Sequence, residues 1–157
     1  KTLLKGNLKI WMIKKMSKKY KIVSKFIKDL SSETKDLETY IHVQDIISRY
    51  HLNIEINSKP LKNQMIEIDT LLRFRDSENT NFKSFFELTY TTVIKVIEET
   101  KNKEELQKIV LCDVQEEIFP NLKNIFLSLI HNCGYENVTF DKEVDFRNLY
   151  NEKIGQK

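Results

Sequence analysis

Glycine and proline are scarce in this chain, which has three glycines and two prolines in 157 residues. Average usage would be about 7% for glycine alone. A β-sandwich needs a turn about every 8–12 residues, so a shortage of turn-forming residues favours helices joined by short polar links. The apolar fraction of 40% and the charged fraction of 31% are typical of a globular domain with a core. The sequence therefore predicts an all-α fold.

Apolar residues recur at steps of three and four along most of the chain, which is the period of an amphipathic helix. Ser31 and Asn102 are suitable N-caps, Gly134 is a suitable C′ residue, and Pro120 is expected to end a helix. We expect six or seven helices in a bundle or a short helical-repeat segment. The predicted helices span about residues 2–30, 33–50, 60–76, 81–100, 103–118, 120–133 and 142–153.

Two short stretches depart from this period. Leu52, Ile54 and Ile56 alternate with polar residues within 51–57, and Val138 and Phe140 do so within 137–141. They either pair as one minor two-stranded ribbon or form extended linkers. Residues 89–97 are rich in β-branched side chains, which fit a helix less well. The core is predicted to contain Leu37, Ile41, Ile47, Leu72, Phe82, Phe86, Val93, Leu106, Val110, Ile125, Phe126, Leu129 and Ile130.

The length suits a single domain over residues 1–157, and the start at Lys1 suggests a fragment of a longer protein. Charge is unevenly distributed, because residues 1–28 hold ten lysines and no acid, whereas the remaining 129 hold 16 basic and 23 acidic residues. The predicted N-terminal helix, at about 2–30, is therefore Lys-rich. Its lysines form either a solvated helix face or a surface for a polyanion. The candidate binding residues are Lys5, Lys9, Trp11, Lys14, Lys15, Lys18, Lys19, Lys21 and Lys25.

No pattern for catalysis or metal binding occurs in the sequence. The three histidines and two cysteines do not have metal-ligand spacing, and no P-loop, GxGxxG or GxSxG motif is present. We therefore expect no catalytic residue, no metal and no cofactor, and hence no enzyme. Two unclustered cysteines, Cys112 and Cys133, suit an intracellular protein, either nuclear or cytoplasmic, with secretion as the alternative.

Residues 71–76 read Leu-Leu-Arg-Phe-Arg-Asp, with a leucine five residues before an aspartate, and Phe82 and Phe86 follow on the same side of a predicted helix. This segment resembles the BH3 pattern of the Bcl-2 family. The resemblance implies a helical bundle with a hydrophobic groove that binds partner helices.

The function favoured by the sequence is a non-enzymatic protein–protein interaction or scaffold domain of a larger protein or complex. One alternative is binding of nucleic acid or another polyanion through the basic N-terminal helix. The other is a Bcl-2-like bundle that binds partner helices. A protein partner is expected first and nucleic acid second. A membrane is not expected, since no apolar run reaches the ~18–20 residues of a membrane span. A small-molecule substrate is not expected either.

Overall fold

In the computed structural model, which describes residues 18–76, 84–97 and 102–155, the chain forms one antiparallel sheet and a set of helices. The strands are β1 (Tyr20–Thr34), β2 (Tyr50–Pro60), β3 (Met65–Asp76) and β4 (Ser84–Val96), in the order β1-β4-β3-β2. A helix, α1 (Leu37–Ile46), and a 3₁₀ turn (Ile47–Arg49) join β1 to β2. After β4 come α2 (Lys103–Lys108), a π-helical turn (Ile109–Asp113), α3 (Val114–Asn132) and α4 (Phe146–Gly155).

The prediction of an all-α fold is wrong. Residues 20–34, 65–76 and 84–96 form strands where the period predicted helices, and residues 1–17 of the predicted N-terminal helix lie outside the described residues. The segment that resembles BH3 lies in β3, so it does not form the helix that the resemblance implies.

Other predicted elements are confirmed in part. Helices occur within 33–50, 103–118, 120–133 and 142–153, although their ends differ. The alternating stretch 51–57 is part of β2, but it pairs with β3 rather than with 137–141, which is not a strand. Instead of the predicted minor two-stranded ribbon, the chain forms a four-stranded sheet.

One face of the sheet is covered by α3. Every fourth residue of this helix is buried and packs against alternate residues of β3 and β4. A helix and a sheet each present one apolar side, and burying those two sides together makes the core. The buried residues of this contact are Val114, Ile118, Leu122, Phe126 and Ile130 on α3, with Ile68 and Leu72 on β3 and Phe86, Leu88 and Ile94 on β4.

The β2–β3 hairpin turns without glycine. Asn63 and Gln64 both have φ of 60°, and the turn is closed by hydrogen bonds from Leu61 N to Met65 O and from Met65 N to Lys62 O. Two successive positive φ angles are those of a type I′ turn, which matches the twist of a hairpin and favours Asn-Gly. Asparagine tolerates this conformation, whereas glutamine at the second position is strained.

We therefore expect Gln64→Gly to stabilise the protein by about 0.5–1 kcal/mol, because glycine adopts the left-handed conformation without steric cost. Urea unfolding followed by circular dichroism measures the change. Lys62→Gly is the matched control, since Lys62 does not have a positive φ, and it should lower the stability. Equal effects of the two substitutions would contradict the turn assignment.

Between α2 and α3 the helix widens into the π-helical turn at Ile109–Asp113. Gln115 is fully buried next to this turn, where its Nε2 donates to Val110 O at 3.2 Å and its Oε1 accepts from Thr70 Oγ1 at 3.0 Å. A buried amide without partners would destabilise the fold, so these two bonds allow Gln115 to lie in the core. They also fix the turn against β3.

The predicted helix end at Pro120 is wrong, since α3 continues through this residue. A proline inside a helix removes one hydrogen bond and costs about 3 kcal/mol. Pro120 is exposed, so the carbonyl that it leaves unbonded can meet water. The core contacts of α3 lie on the opposite side and are kept.

Tyr20 joins the start of β1 to α3. Its hydroxyl donates to Glu117 Oε2 at 2.6 Å, and Lys18 Nζ donates to the same oxygen at 3.0 Å. Burial and the bond to Glu117 raise the pKa of Tyr20. Partial desolvation acts to raise the pKa of Glu117, but the hydrogen bonds from Tyr20 and Lys18 outweigh it and lower that pKa.

Because the pKa of Glu117 is lowered in the folded chain, its contribution to stability is present above the unfolded value of about 4.3 and is lost as the pH falls through the folded value. We expect Tyr20→Phe to cost about 1–2 kcal/mol at neutral pH. The difference in stability between Glu117→Gln and the unchanged chain should be largest at neutral pH and shrink in acid. Urea unfolding across pH tests this, with exposed Glu143→Gln as the control; a pH-independent difference would refute the linkage.

Candidate functional site

An open groove of about 560 Å³ lies between two segments that are distant in sequence. One wall comes from the end of α1 and the 3₁₀ turn, the other from the segment that follows α3, and the floor from β2 and β3. The groove residues are Gln44, Ile47 and Ser48 on the first wall, Gly134 to Phe140 on the second, and Tyr50, His51, Leu52 and Phe74 on the floor.

The floor of the groove is aromatic. The ring of Phe74 lies 5.3 Å from Tyr50 and 5.4 Å from Phe140, measured between centroids, and the Phe86 ring lies 5.6 Å from Tyr135. These tilted and edge-on pairs are favoured arrangements of aromatic rings. The groove therefore has a rigid apolar base that is continuous with the core.

Hydrogen bonds hold the second wall in place. His131 Nε2 donates to Val138 O at 2.7 Å, and Val138 N donates to Tyr135 O at 3.3 Å. On the floor, the Tyr50 hydroxyl donates to Ser84 O at 3.0 Å, and burial raises the pKa of Tyr50. The tyrosine is thus neutral and fixed, as a packing surface requires.

Few charges lie at this groove. Among the described residues that line it, Glu136 is the one carboxylate and neither lysine nor arginine is present. The groove thus suits apolar chain segments and offers no cationic surface for a polyanion.

The predicted binding lysines are not part of the groove. Lys18 pairs with Glu117 at 3.0 Å and Lys19 pairs with Glu105, so these cations tie the chain to α3 and α2. Lys21 and Lys25 are exposed on β1. Lys5, Lys9, Trp11, Lys14 and Lys15 lie outside the described residues.

The potential metal ligands remain separate. In the part of the chain that the structure describes, no three His, Cys, Asp or Glu side chains are grouped to hold a metal. Cys112 is buried with a raised pKa that follows from burial, Cys133 is half-buried, and both are free thiols. Within the same residues, no helix has the length and apolar character to span a membrane.

Edge strand β1 carries exposed apolar side chains, at Val23, Phe26, Ile27 and Leu30, each at least 44% exposed. Leu37 and Ile41 on α1, which were predicted to be core residues, are 71% and 52% exposed. Scattered apolar residues are normal on a surface, but a run along one edge strand is a surface that other chains can contact.

The chain matches the family model "Preprotein translocase subunit SecB" over residues 14–157. It is 50% identical over 140 residues to a protein-export protein SecB of Pelagibacter ubique, which covers 89% of this chain and all of that protein. A protein-export protein SecB of Beijerinckia indica is 20% identical over 131 residues, with 83% and 80% covered. A Mycobacterium tuberculosis SecB-like chaperone, solved with a ChAD peptide of an antitoxin, superposes with a TM-score of 0.56 at 10% identity over 83% of this chain and 95% of that one.

These findings correct the functional hypotheses from the sequence. A helical scaffold, a polyanion-binding helix and a Bcl-2-like bundle are all wrong, because the family is one of protein export and the described residues form a sheet-based fold. The family is not one of enzymes, which confirms that expectation, and a protein partner agrees with it in general terms. An intracellular location also agrees with the family, whereas a nuclear one has no support. With the match over nearly its whole length and one relative at 50% identity, the chain belongs to the SecB family.

Proposed function

We propose that this protein is a chaperone that binds extended, apolar segments of unfolded client proteins, and that the groove between α1 and residues 134–140 is the binding site. The observation that carries the proposal is the aromatic floor of an open groove with few charges. Burial of apolar side chains from a client there would contribute about 25 cal/mol for each Å² removed from water.

The shape of the groove favours an extended client rather than a folded one. The groove is open, and its second wall is a non-helical segment after α3. A client that brings one or two aromatic or branched side chains into the groove would contact its partly exposed apolar residues, since Tyr50 and Phe74 beneath them are only 6% and 5% exposed. The partly exposed residues are Ile47, Leu52, Val138 and Phe140. Recognition by a few apolar anchors tolerates many client sequences, as a chaperone requires.

The backbone at the floor supports the same reading. β2 is an edge strand, and its partner is β3, so the outer main-chain groups of Tyr50 to Leu52 are not used in the sheet among the described residues. An extended peptide can add main-chain hydrogen bonds to such an edge, which gives affinity without sequence specificity. The groove would then combine apolar anchors with backbone contacts.

The relatives indicate the class of client. The similar proteins of Pelagibacter ubique and Beijerinckia indica are named for protein export, and the mycobacterial relative was solved with a bound peptide. By that likeness, the clients would be proteins destined for export, bound in the cytoplasm before they fold.

Ile47→Ser tests the groove directly. Loss of this side chain from the wall should raise the Kd for a permanently unfolded protein, such as reduced and carboxymethylated α-lactalbumin, by about fivefold to twentyfold through lost apolar contact. Fluorescence anisotropy of the labelled client measures the Kd.

Ile97→Ser is the matched control, since Ile97 is 60% exposed, directly follows the last residue of β4 and does not line the groove. It should leave the Kd within about twofold, in line with other surface substitutions. Equal weakening by both substitutions, or by neither, would argue against the groove as the client site.

Salt should have little effect on client binding, because few charges line the groove. We expect the Kd to change by less than about twofold between ~0.05 M and ~0.5 M NaCl, whereas contact through the exposed lysines would weaken strongly over that range. The same anisotropy titration at several salt concentrations measures this. A tenfold weakening would point to the lysines instead.

A further inference from the structure

The two walls of the groove are joined by a side chain that does not line it. Tyr40, on α1, donates its hydroxyl proton to Gly134 O at 3.0 Å, directly after α3. Gln44 Nε2, one helical turn further along α1, donates to the Tyr40 hydroxyl oxygen at 2.9 Å. The Tyr40 ring lies 5.3 Å from the ring of Tyr135. We call Tyr40, Gln44 and Gly134 the wall clamp.

Gly134 is needed at this position for two separate reasons. Its φ of 101° is one that only glycine adopts readily, and it ends α3. A Cβ at residue 134 would also lie 2.7 Å from Tyr40 Cε2 and 2.9 Å from the Tyr40 hydroxyl oxygen. The tyrosine thus occupies the space that any other side chain would fill.

The wall clamp is at the surface, whereas the core lies beneath it. Tyr40 is half-buried and Gly134 is exposed, so water competes for their hydrogen bond. Such a bond contributes about 0.5–1.5 kcal/mol and opens often at room temperature. The wall residues Tyr135 and Phe140 pack on Phe86 and Phe126 of the core, so the base of the wall stays in place when the bond opens.

We propose that Tyr40 is a positioning residue for client binding, and that opening of its bond to Gly134 is the step through which clients enter and leave the groove. The inference rests on the proposed function, because it assumes that the groove holds clients. The bond fixes the spacing of the two walls while it is made, and the walls can adjust to a client when it opens. Loss of the bond lowers the energy barrier for both entry and exit of the client. The rates of client association and dissociation therefore change more than the affinity does.

Tyr40→Phe keeps the ring and removes the bond. Stopped-flow anisotropy with the unfolded client should show that the association and dissociation rates both rise, by about threefold to tenfold, while the Kd changes by less than about twofold. Tyr150→Phe is the matched control, because the Tyr150 hydroxyl also donates to a backbone carbonyl, Glu104 O at 3.1 Å, on α4 away from the groove. The control should leave both rates unchanged.

Amide hydrogen exchange without client gives an independent readout. In Tyr40→Phe, residues 134–140 should exchange faster by a similar factor, with no change in the strands and an unchanged melting temperature within a few degrees. If exchange rises but no variant binds the client, the wall clamp stands and the proposed function fails. If the client binds with both rates and exchange unchanged in Tyr40→Phe, or if only the Kd and the melting temperature shift, the inference is overturned.

Discussion

The contact between one helix and one face of the sheet determines the rest of the structure. α3 places a buried residue at every fourth position over the centre of the sheet, on β3 and β4. This stripe is strong enough to keep a helix continuous through Pro120. The end of α3 then fixes where the chain turns back over β2, so the groove is a product of the same contact. Among the described residues, β1 and β2 are the outer strands of the sheet, so each has one edge without a partner strand.

The helices after β4 could be predicted from the sequence, whereas among the strands only part of β2 could, and the residues of β1 show why. β1 has two bulges, between Ile22 and Ser24 and between Ile27 and Asp29. Each adds one residue, so the side chains that share a face recur at steps of two and three, which breaks the strict alternation by which a strand is recognised in a sequence. That face consists of Tyr20, Ile22, Lys25, Ile27 and Leu30. The scarcity of glycine was misleading for another reason, since Asn63 and Gln64 make the hairpin turn themselves.

The site was only partly visible in the sequence. Gly134 was recognised as the residue that ends a helix, and the alternation at 51–57 marked the strand of the groove floor. The walls were not predictable, because Ile47 and Val138 are brought together by packing alone. The lysines predicted a binding surface because they are dense in the sequence, but Lys18 and Lys19 form ion pairs with carboxylates of the same chain. A charge count cannot reveal such pairing, which depends on the folded positions of both partners.

Because of the π-helical turn, the fold depends on the number of residues in this part of the chain. It holds one residue more than an α-helix would at Ile109–Asp113, and each residue of a helix rotates its neighbours by about 100°. Deletion of a single residue there would leave the α3 stripe in place but turn α2 to a different side. Glu105 would then lose its ion pair with Lys19, and the backbone carbonyl of Glu104 would lose its hydrogen bond from Tyr150. Chains related to this one are therefore expected to conserve the number of residues between Gln115 and α2 more strictly than their identity.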